Sequence, residues 1–543
     1  MKLNNINIQH YRSIENISID FPHNKPAVLF GPNNVGKSNI LKALTCFLGE
    51  KYTPYIDFLD SDYYFRNKEK YPNISFEAEF DDYIYPGNYR AQPSKNMAFT
   101  TNLNLGQMSE SCFHYKGNQK KMYIGSKDRE RCQFILIDAT RNLSSQLSYY
   151  SRYTILSKFT QKMHKALVKE NKVSLDKIYS ELIASYEKIT EYQEFKQKLK
   201  ESFEESMKGF THKLAIDFSA YDPNNYFKSL RVMAKEGKNV RSFDEFGTGE
   251  QQILLISFIR AYAEIFKGES FILGIEEPES HLHPLAQKWF AQNLELLSSG
   301  SVQVILSTHS PEFLKIANLE GFVKVYKKDG ITKTQQIDAT KLANHCITHG
   351  SNPKTTDADN ILNFYQSNTF HDQTRGFFAE KVILVEGETE FFTLPIYFSA
   401  CGFDLLRDGV EIINCRGKGN ISRNYRLFSA YGYDSYCIFD ADEKKVSNKE
   451  LATIFGFNTE SMKNTASSFV DGDKYGYFGI DYENYLRVTC KDYSEQEAKI
   501  QASKPLKAKI ISENNKFCPP FITMIAKQMG LTNYNTVSDF VDE

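Results

Sequence analysis

The sequence predicts an α/β protein with two parallel-sheet domains and a helical insertion inside the first of them. Three observations indicate this architecture. Short, continuous apolar runs alternate with amphipathic helical patterns in the first and last thirds of the chain. Glycine-rich or carboxylate-rich turns follow several of these runs directly, at the strand ends where parallel sheets carry their functional groups. A long, charged stretch with apolar residues every three or four positions divides the first domain into two halves.

The composition is that of an ordinary globular protein. The 543 residues correspond to about three or four domains at roughly 150 residues each. The 66 lysines and arginines balance 67 aspartates and glutamates, so nucleic-acid contacts would depend on local patches. Nine scattered cysteines argue against both a disulfide framework and a cysteine zinc site. No signal peptide or long apolar run is visible, and a cytoplasmic chain without a membrane partner is therefore expected.

The N-terminal segment predicts a strand pair and then a phosphate-binding loop. Residues 2–21 alternate between apolar and polar, as in two paired strands. The apolar run Pro26–Phe30 leads into Gly31–Ser38, which reads G-x-x-x-x-G-K-S before a helical pattern. In this strand–loop–helix context the glycines let backbone N–H groups face phosphate oxygens, while the lysine reaches the β- and γ-phosphates and the serine holds Mg²⁺. The residues predicted to bind ATP are Gly31, Asn33, Asn34, Gly36, Lys37 and Ser38.

A second group of strand-end residues predicts the hydrolytic side of this ATP site. The run Phe271–Ile275 ends in Glu276, expected to order the Mg²⁺ shell, and Glu277, expected to polarise the attacking water. The next run, Val302–Leu306, ends before His309, which could sense the γ-phosphate. His281 and His283 alternate in the intervening turn, a pattern that is more often structural than metal-binding.

The segment Phe246–Gln251, followed by a predicted helix from Gln252 to Ile265, has the position and shape of the signature motif of ABC-type ATPases. Glycine at position 247 replaces the usual serine, so the γ-phosphate contact would depend on backbone N–H groups and the helix N-terminus. The signature residues predicted to bind nucleotide are Gly247, Gly249 and Glu250. In an ABC-type ATPase this motif is too far from its own phosphate loop to reach the same nucleotide. A homodimer or higher oligomer that sandwiches ATP is therefore expected.

These motifs predict five segments. Residues 1–150 and 216–328 form the two halves of the ATPase, and residues 151–215 form the helical insertion. The insertion is interpreted as a dimerisation arm, although a helix packed on its own domain fits the pattern equally well. The polar residues 329–375 are predicted to be a linker, and residues 376–543 a second α/β domain.

The C-terminal domain carries acids at its predicted strand ends. The strand Lys381–Val385 ends in Glu386, and the strand Tyr436–Phe439 leads into Asp440 and Asp442, which leave the sheet on the same side. Crowded carboxylates repel one another unless cations neutralise them. The cluster therefore predicts two Mg²⁺ or Mn²⁺ ions, about 3.5–4 Å apart, that clamp a phosphodiester. The predicted metal ligands are Glu386, Glu390, Asp440, Asp442, Asp481 and Glu483, with Glu386 counted as catalytic and Lys504 stabilising the developing negative charge.

The order Glu-Gly strand end, helix and D-x-D strand end resembles a Toprim domain. An ABC-type (RecF/SMC-like) P-loop ATPase with a helical insertion and a C-terminal Toprim domain resembles the OLD (overcoming lysogenization defect) family of ATP-dependent nucleases. The strongest carriers of the resemblance are Gly31–Ser38, Glu276–Glu279 with His281, Ser307–Ser310, Val385–Glu390 and Asp440–Asp442. The resemblance implies two-metal DNA cleavage, dimers or higher assemblies, and defence against phage. It also implies that a second component, a helicase-like protein or a retron reverse transcriptase with its RNA and DNA, acts beside the chain.

Three hypotheses of function remain at the level of sequence. The first is an ATP-controlled, metal-dependent DNA endonuclease, in which ATP gates rather than drives the chemistry because phosphodiester hydrolysis is downhill. The second is a RecF- or SMC-like DNA-repair or DNA-organising ATPase whose Toprim module does not cleave. The third is a topoisomerase-like strand passer, which needs a nucleophilic tyrosine. Clustered acids facing phosphates argue against the second hypothesis.

Overall fold

The computed structural model describes most of the two predicted domains. The described residues are 1–49, 53, 56–85, 93–102, 107–108, 126–138, 233–236, 239–242, 245–265, 271–442, 445–462, 465–515 and 517–534, with short fragments between 174 and 198. The chain divides into two compact units, Met1–Leu136 with Ser270–Glu543, and Ile137–Glu269. Most of the predicted insertion at 151–215 lies outside the described residues. The fragments within it include helical turns, on which Ile178 is 59% exposed.

The strands of the N-terminal domain are β1 (Leu3–Tyr11), β2 (Ile14–Asp20), β3 (Ala27–Phe30), β4 (Ser75–Ile84), β5 (Ser94–Asn102), β6 (Gln107–Met108), β7 (Phe134–Ile137), β8 (Met233–Glu236), β9 (Asn239–Ser242), β10 (Phe271–Glu276), β11 (Val302–Thr308), β12 (Phe322–Lys328) and β13 (Ile331–Gln336). They form one antiparallel sheet of order β2-β1-β4-β5-β6 and one mostly parallel sheet of order β13-β12-β3-β11-β10-β7. β8 pairs with β9.

The strands of the C-terminal domain are β14 (Lys381–Val385), β15 (Val410–Asn414), β16 (Asp434–Asp440), β17 (Phe469–Asp471) and β18 (Tyr475–Phe478). They form one sheet of order β15-β14-β16-β18-β17, which is parallel except for the edge strand β17. The helices are α1 (Lys37–Leu48), α2 (Ser126–Arg131), α3 (Thr248–Ile265), α4 (Pro284–Ser298), α5 (Ala339–Thr348), α6 (Ala358–Asn368), α7 (Glu388–Ala400), α8 (Ile421–Ala430), α9 (Lys445–Phe455), α10 (Tyr482–Thr489), α11 (Tyr493–Lys499), α12 (Lys504–Asn515) and α13 (Pro520–Gln528).

The predicted strands and helices around the motifs are confirmed. All four residues of β3 and all seven of β11 are buried, as expected for central strands of a parallel sheet that is covered on both faces. β3 lies between β11 and β12, parallel to both. This arrangement brings the carboxyl ends of β3, β10 and β11, with the turns that follow them, to one edge of the sheet.

The segment 329–375 is not a linker, contrary to the prediction. It contributes β13, which pairs antiparallel with β12, and helices α5 and α6. One face of α5, including Leu342, Ala343 and Cys346, is buried. The high average polarity of the segment concealed this apolar face, which is what folds the segment onto its neighbours.

Cys401 and Cys518 form a disulfide bond, although the odd number of cysteines argued against disulfides. Their sequence separation of 117 gives no sign of spatial proximity, which is the condition for pairing. The other cysteines within the described part of the chain are free, and all but Cys46 are buried. No helix among the described residues is long and apolar enough to cross a bilayer.

Aromatic side chains join the mostly parallel sheet of the N-terminal domain to the C-terminal domain. Phe30, the last residue of β3, packs edge-on against Phe377 and Tyr431, with ring centroids 5.6 and 6.2 Å away. Lys324 of β12 donates a hydrogen bond to the carbonyl of Tyr431 at 3.0 Å, and its Nζ lies 3.3 Å from the ring centroid of Tyr433. The strand that leads into the phosphate loop therefore contacts the C-terminal domain directly.

Candidate functional site

The phosphate loop depends on two glycines in a conformation that other residues rarely adopt. Gly31 has φ of 142° and Gly36 has φ of 109°. A β-carbon at position 31 would lie 2.1 Å from the carbonyl oxygen of Val325, and one at position 36 would lie 2.3 Å from Oγ1 of Thr332. Both steric neighbours belong to the β12–β13 hairpin. Glycine is therefore required at both positions for two reasons, the positive φ and the close approach of the hairpin.

Lys37 is buried and bends back onto its own loop. Its Nζ donates to the carbonyls of Gly31 at 2.9 Å and Pro32 at 2.7 Å. Burial lowers the pKa of Lys37 to about 8, against the opposing effect of carboxylates led by Glu277. ATP phosphates would replace the carbonyl acceptors and restore the full preference for the charged amine. Of the remaining loop residues, Asn33 and Asn34 are exposed and Ser38 is half-buried at the start of α1.

The structure brings Glu276, Glu277 and His309 to the same sheet edge as Lys37. Glu277 has φ of 47°, and its carboxylate lies 3.8 Å from Nε2 of His309. Burial lowers the pKa of His309, and the charge of Lys37 lowers it further while Glu277 opposes the change. A neutral imidazole beside a carboxylate can accept a hydrogen bond from water at this position. Glu276 ends β10 and adds to the negative charge felt by Lys37.

Glu279 orients the histidine, and sequence reasoning did not include it among the site residues. Its carboxylate accepts hydrogen bonds from Oγ1 of Thr308 at 2.8 Å and from the backbone N–H of His309 at 2.6 Å. Burial raises its pKa above the ordinary value. The signal was visible as a third acid in the run that starts at Glu276. His283 has a structural role, since its Nδ1 accepts from the backbone N–H of Leu285 at the start of α4.

The signature segment lies in the second compact unit, where its helix begins earlier than predicted. Helix α3 starts at Thr248, four positions before the expected Gln252, and therefore includes Gly249 in its first turn. The N–H of Gly247 donates to Oε2 of Glu250 at 3.2 Å. One backbone donor expected to face phosphate is thus held by the carboxylate of its own motif.

In the C-terminal domain, Glu386 and Asp440 face each other across neighbouring strands. Val385 lies opposite Ile438 in the parallel β14–β16 pair, so the residues that follow leave the same edge of the sheet. The backbone N–H of Asp440 approaches Oε2 of Glu386 at 3.5 Å. Oδ1 of Asp440 also accepts from the N–H of Tyr482 at 2.9 Å, which fixes the carboxylate at the start of α10.

Charge crowding is strongest on Asp440 and Glu390. Burial, with the nearby charges of Glu390, Glu386 and Glu483, raises the pKa of Asp440 to about 9. Burial and the charges of Glu483 and Glu386 also raise the pKa of Glu390 to about 7. Without cations these two acids therefore hold protons at pH values where ordinary carboxyl groups are ionised.

The remaining acids have partners within the protein. Asp481 caps α10 by accepting from the backbone N–H of Asn484 at 2.7 Å. The buried carboxylate of Glu483 accepts from Oγ1 of Thr389 at 3.0 Å and forms an ion pair with Nζ of Lys504 at 2.9 Å. Lys504 therefore lies among the acids, where the sequence placed it.

Asp442 points instead to Lys418, a residue that the sequence analysis did not select. Nζ of Lys418 lies 2.6 Å from Oδ1 of Asp442, and the lysine side chain is completely buried. The amine also sits 5.9 Å from the ring centroid of Phe439. The only signal in the sequence was a lysine between two glycines, in the turn that follows β15. An internal cation thus offsets one acid of the D-x-D pair.

The donor chemistry of this edge fits hard divalent cations. The carboxylates of Glu386, Glu390 and Asp440 crowd together, and carboxylate oxygens are the ligands that Mg²⁺ and Mn²⁺ prefer. The described residues include no group of three or more His, Cys, Asp or Glu side chains arranged closely enough to hold one ion. Water or substrate oxygens would therefore complete any coordination shell at this edge.

An open groove runs beside Glu386. Its volume is about 660 Å³, and its lining includes Arg416, Phe391 and Phe392. The guanidinium of Arg416 pairs with Asp372 at 2.9 Å and stacks over Phe370 at 4.0 Å. A cation and exposed aromatic faces beside an acidic cluster are suited to a nucleic-acid strand, which offers phosphates and bases.

Comparisons with known proteins agree with this arrangement. Residues 27–315 match a family model described as "AAA domain, putative AbiEii toxin, Type IV TA system". Residues 377–442 match one described as "Overcoming lysogenization defect protein-like, TOPRIM domain". An OLD nuclease of Thermus scotoductus is 24% identical over 457 residues, which are 81% of this chain and 82% of the relative. Endonuclease GajA of Bacillus cereus is 22% identical over 72% of this chain and 66% of its own length.

The fold and the two sites define a P-loop ATPase of the ABC type joined to a C-terminal Toprim domain. Among solved structures, an SMC head bound to the C-terminal winged-helix domain of ScpA has 16% identity and a TM-score of 0.39, covering 62% of this chain and 98% of that one. The chain belongs to the AAA domain family whose model matches residues 27–315, and its ATPase–Toprim arrangement is that of the OLD family.

Proposed function

We propose that this chain is a DNA endonuclease in which divalent ions bound at the edge formed by Glu386, Glu390 and Asp440 hydrolyse phosphodiesters. The observation that carries the proposal is the geometry of this edge, where Glu386 and Asp440 face each other across β14 and β16 and the charges of Glu390, Glu386 and Glu483 act on the buried Asp440. A site used only for binding DNA would gain nothing from buried acids aimed at phosphates. When bound, two metal ions would activate the attacking water and stabilise the leaving oxygen.

Each predicted residue has a distinct part in the proposed site. Glu386, Glu390 and Asp440 would hold the metals, with Glu483 and Asp481 as further acids at the start of α10. The ammonium of Lys504 lies 2.9 Å from the carboxylate of Glu483, from where it would stabilise negative charge developing on the phosphate. Asp442 would join the metal ligands only after exchanging its bond with Lys418.

We further propose that ATP acts as a gate. A homodimer would close on ATP between the phosphate loop of one protomer and the signature residues Gly247, Gly249 and Glu250 of its partner, with Mg²⁺ on Ser38 and Glu276. Phosphodiester hydrolysis releases free energy by itself, so the nucleotide is free to select one arrangement of the Toprim domains. The contact of Phe30 with Phe377 and Tyr431 provides a physical route between the two sites.

The biological role that best fits this activity is defence against phage. The OLD-family arrangement of the chain supports it, and a helicase-like protein or a retron reverse transcriptase with its nucleic acid is the kind of second component that would control the nuclease.

Plasmid cleavage by the purified full-length chain tests the proposal. Supercoiled DNA is incubated with Mg²⁺ or Mn²⁺ while ATP is varied, and nicked and linear products are measured. The variant Glu386→Ala should lose cleavage by at least about a hundredfold, because one ligand of an electrostatically demanding site is missing. Its affinity for ATP should be unchanged. The matched control is Glu495→Ala, which removes an exposed acid from α11.

Normal cleavage by Glu386→Ala would show that the acidic edge is not the nuclease site. Absence of cleavage by the unmodified chain alone, with and without ATP, would instead point to a missing partner component. Trapping a covalent 5′-phosphotyrosyl adduct would establish the strand-passing hypothesis.

A further inference from the structure

A second cavity lies in the segment that was predicted to be a linker. It has a volume of about 470 Å³ and lies between α8 and the region from Gly350 to Tyr365, which includes α6. It shares no lining residue with the groove beside Glu386 or with the phosphate loop. The residues that matter for its chemistry are Ser351, Thr356, Phe364, Arg423, Arg426 and Glu450.

Two buried arginines line this cavity with unused hydrogen-bond donors. Arg423 is 7% exposed, and its Nη1 donates to Oδ1 of Asn420 at 3.1 Å. Its Nε and Nη2 have no acceptor among the described residues. Burial lowers the pKa of Arg423 below its ordinary value, although a guanidinium remains charged at any physiological pH. A buried cation with two free donors is unfavourable unless an anion is bound.

Arg426 adds a second cation with one free donor. Its Nε donates to the carbonyl of His349 at 2.9 Å, and its Nη1 donates to Oε1 of Glu450 at 2.8 Å. Its Nη2 is buried and has no partner within the described part of the chain. Glu450 neutralises only one of the two guanidinium charges. The side chains that line the cavity therefore carry an excess of one positive charge, and three nitrogens of its two arginines have no acceptor among the described residues.

We propose that this cavity binds the phosphoryl group of a ligand of about mononucleotide size. Arginine forks match the oxygens of a phosphate, which can accept several hydrogen bonds at once. The hydroxyls of Ser351 and Thr356 line the same space and can donate to further phosphate oxygens. Phe364, 49% exposed at the cavity, offers a ring face for a base. The volume falls within the range of ordinary small-molecule sites.

Two sources supply this chemistry: a free nucleotide, or the 5′-phosphate at a DNA end. The proposal goes beyond the proposed endonuclease function and does not depend on it, because neither the ATP residues nor the acidic edge lines the cavity. An anion here would hold α8 against the α5–α6 segment. α8 starts three residues after Lys418, so the site is placed to stabilise the turn that pairs with Asp442.

Isothermal titration of the full-length chain tests the proposal. The Lys37→Ala background removes the main phosphate contact of the ATP site, and EDTA removes metals from the acidic edge. The probes are inorganic phosphate, dAMP, and a short single-stranded oligonucleotide with and without a 5′-phosphate. We expect saturable binding of dAMP or of the phosphorylated oligonucleotide at one site per chain. Binding of the oligonucleotide only when it carries a 5′-phosphate identifies a DNA end as the source. Binding of dAMP identifies a free nucleotide.

Three variants then locate the binding. Arg423→Gln should weaken binding at least tenfold, and its thermal midpoint without ligand should equal or exceed that of the parent because a buried, unpaired charge is gone. Phe364→Ala should weaken dAMP but not inorganic phosphate. Arg407→Gln, which removes an arginine stacked on Tyr534 elsewhere in the domain, should change neither. Absence of binding by all four probes, or equal binding by a folded Arg423→Gln protein, overturns the proposal.

Discussion

The unfavourable electrostatic interactions at the acidic edge act most strongly on the side chain of Asp440. It is mostly buried, four other carboxylates act on it, and its own oxygen accepts a hydrogen bond from the backbone of α10. Its pKa therefore rises from 3.8 to about 9. The folded protein retains a proton that the unfolded chain releases across this interval, so the free energy of unfolding falls as pH rises from about 4 to about 9.

Because the free energy of unfolding falls as pH rises, the metal-free protein should be less stable at higher pH. In EDTA, the thermal midpoint should fall between pH 6 and pH 9 by at least about 2 °C, since each kcal/mol shifts the midpoint by roughly that amount in a domain of this size. Asp440→Asn, which cannot ionise, should reduce the fall, and Mg²⁺ should reduce it for the unmodified chain. Scanning calorimetry at several pH values measures the effect.

Asp434→Asn is the matched control, because Asp434 is an exposed acid at the other end of the same strand. Its midpoint should follow the same pH dependence as the unmodified chain. A fall of equal size in the Asp440→Asn protein would contradict the assignment of the effect to this carboxyl group.

At the level of single residues, the sequence predicted functional side chains that belong to a motif. It did not predict side chains whose partners are distant in sequence. Glu386 and Asp440 were predicted because strand ends and residue spacing indicate where they lie. Lys418 was not, because its partner Asp442 is 24 residues away and only the fold brings them together. The same reason explains the unforeseen bond between Cys401 and Cys518.

The β12–β13 hairpin shows how one element supports another that is remote in sequence. Thr332 of β13 is fully buried and donates from Oγ1 to the carbonyl of Val35, inside the phosphate loop, at 2.8 Å. The same hydroxyl lies 2.7 Å from Oγ of Ser13. A hydrogen bond from β13, almost 300 residues later in the sequence, therefore stabilises the phosphate loop.

Thr332→Val keeps the shape of this side chain but removes its hydroxyl. The carbonyl of Val35 then loses a buried donor, at a cost of about 1–3 kcal/mol. We expect a roughly tenfold loss of ATP affinity, measured by titration with a fluorescent nucleotide, together with a lower thermal midpoint. Thr334→Val, a less buried change on the same strand, should alter neither. Unchanged ATP affinity in Thr332→Val would show that the hairpin does not stabilise the loop.

The elements near the motifs were predictable because each has its own pattern within a few residues. The β3–loop–α1 unit combines an apolar run, a glycine motif and a helical period, and all three were visible in sequence. β13 of this hairpin and α5 were assigned to a linker because their stability comes from contacts with elements that are distant in sequence, such as those of Thr332 with Val35 and of His345 with Ser429. The polar composition of this segment therefore indicated its exposed surface, but not that its other face packs against the rest of the protein.

At the scale of the whole molecule, the first compact unit joins an ATP site to a Toprim sheet through one aromatic contact region. Phe30 immediately precedes the phosphate loop and touches Phe377 and Tyr431. Tyr431 follows α8, and its hydroxyl donates to the carbonyl of Leu319 in the ATPase half at 3.3 Å. A shift of the loop on binding ATP would thus be transmitted to the strands that carry Glu386 and Asp440.

Lys324 is the polar member of this contact, and it provides a direct test of coupling. Burial lowers its pKa to about 8, and its amine bonds Tyr431 while facing the ring of Tyr433. Lys324→Met retains the aliphatic stem but removes these interactions. ATP affinity and cleavage without ATP should stay within about twofold of the unmodified chain, because neither site is touched. The ratio of the cleavage rate with ATP to the rate without ATP should move toward one. A loss of roughly 1–1.4 kcal/mol of coupling free energy corresponds to a change of this ratio by a factor of about five to ten.

The matched substitution is Lys328→Met, at the exposed end of the same strand, and it should leave the ratio unchanged. If ATP controls cleavage equally in the Lys324→Met protein and in the unmodified chain, communication must use the contact between protomers rather than the contact within one chain. A dimer in which ATP only brings two Toprim domains together has no need of Lys324. A chain in which the phosphate loop moves its own Toprim sheet depends on it, so the ratio distinguishes the two ways in which ATP can control the nuclease.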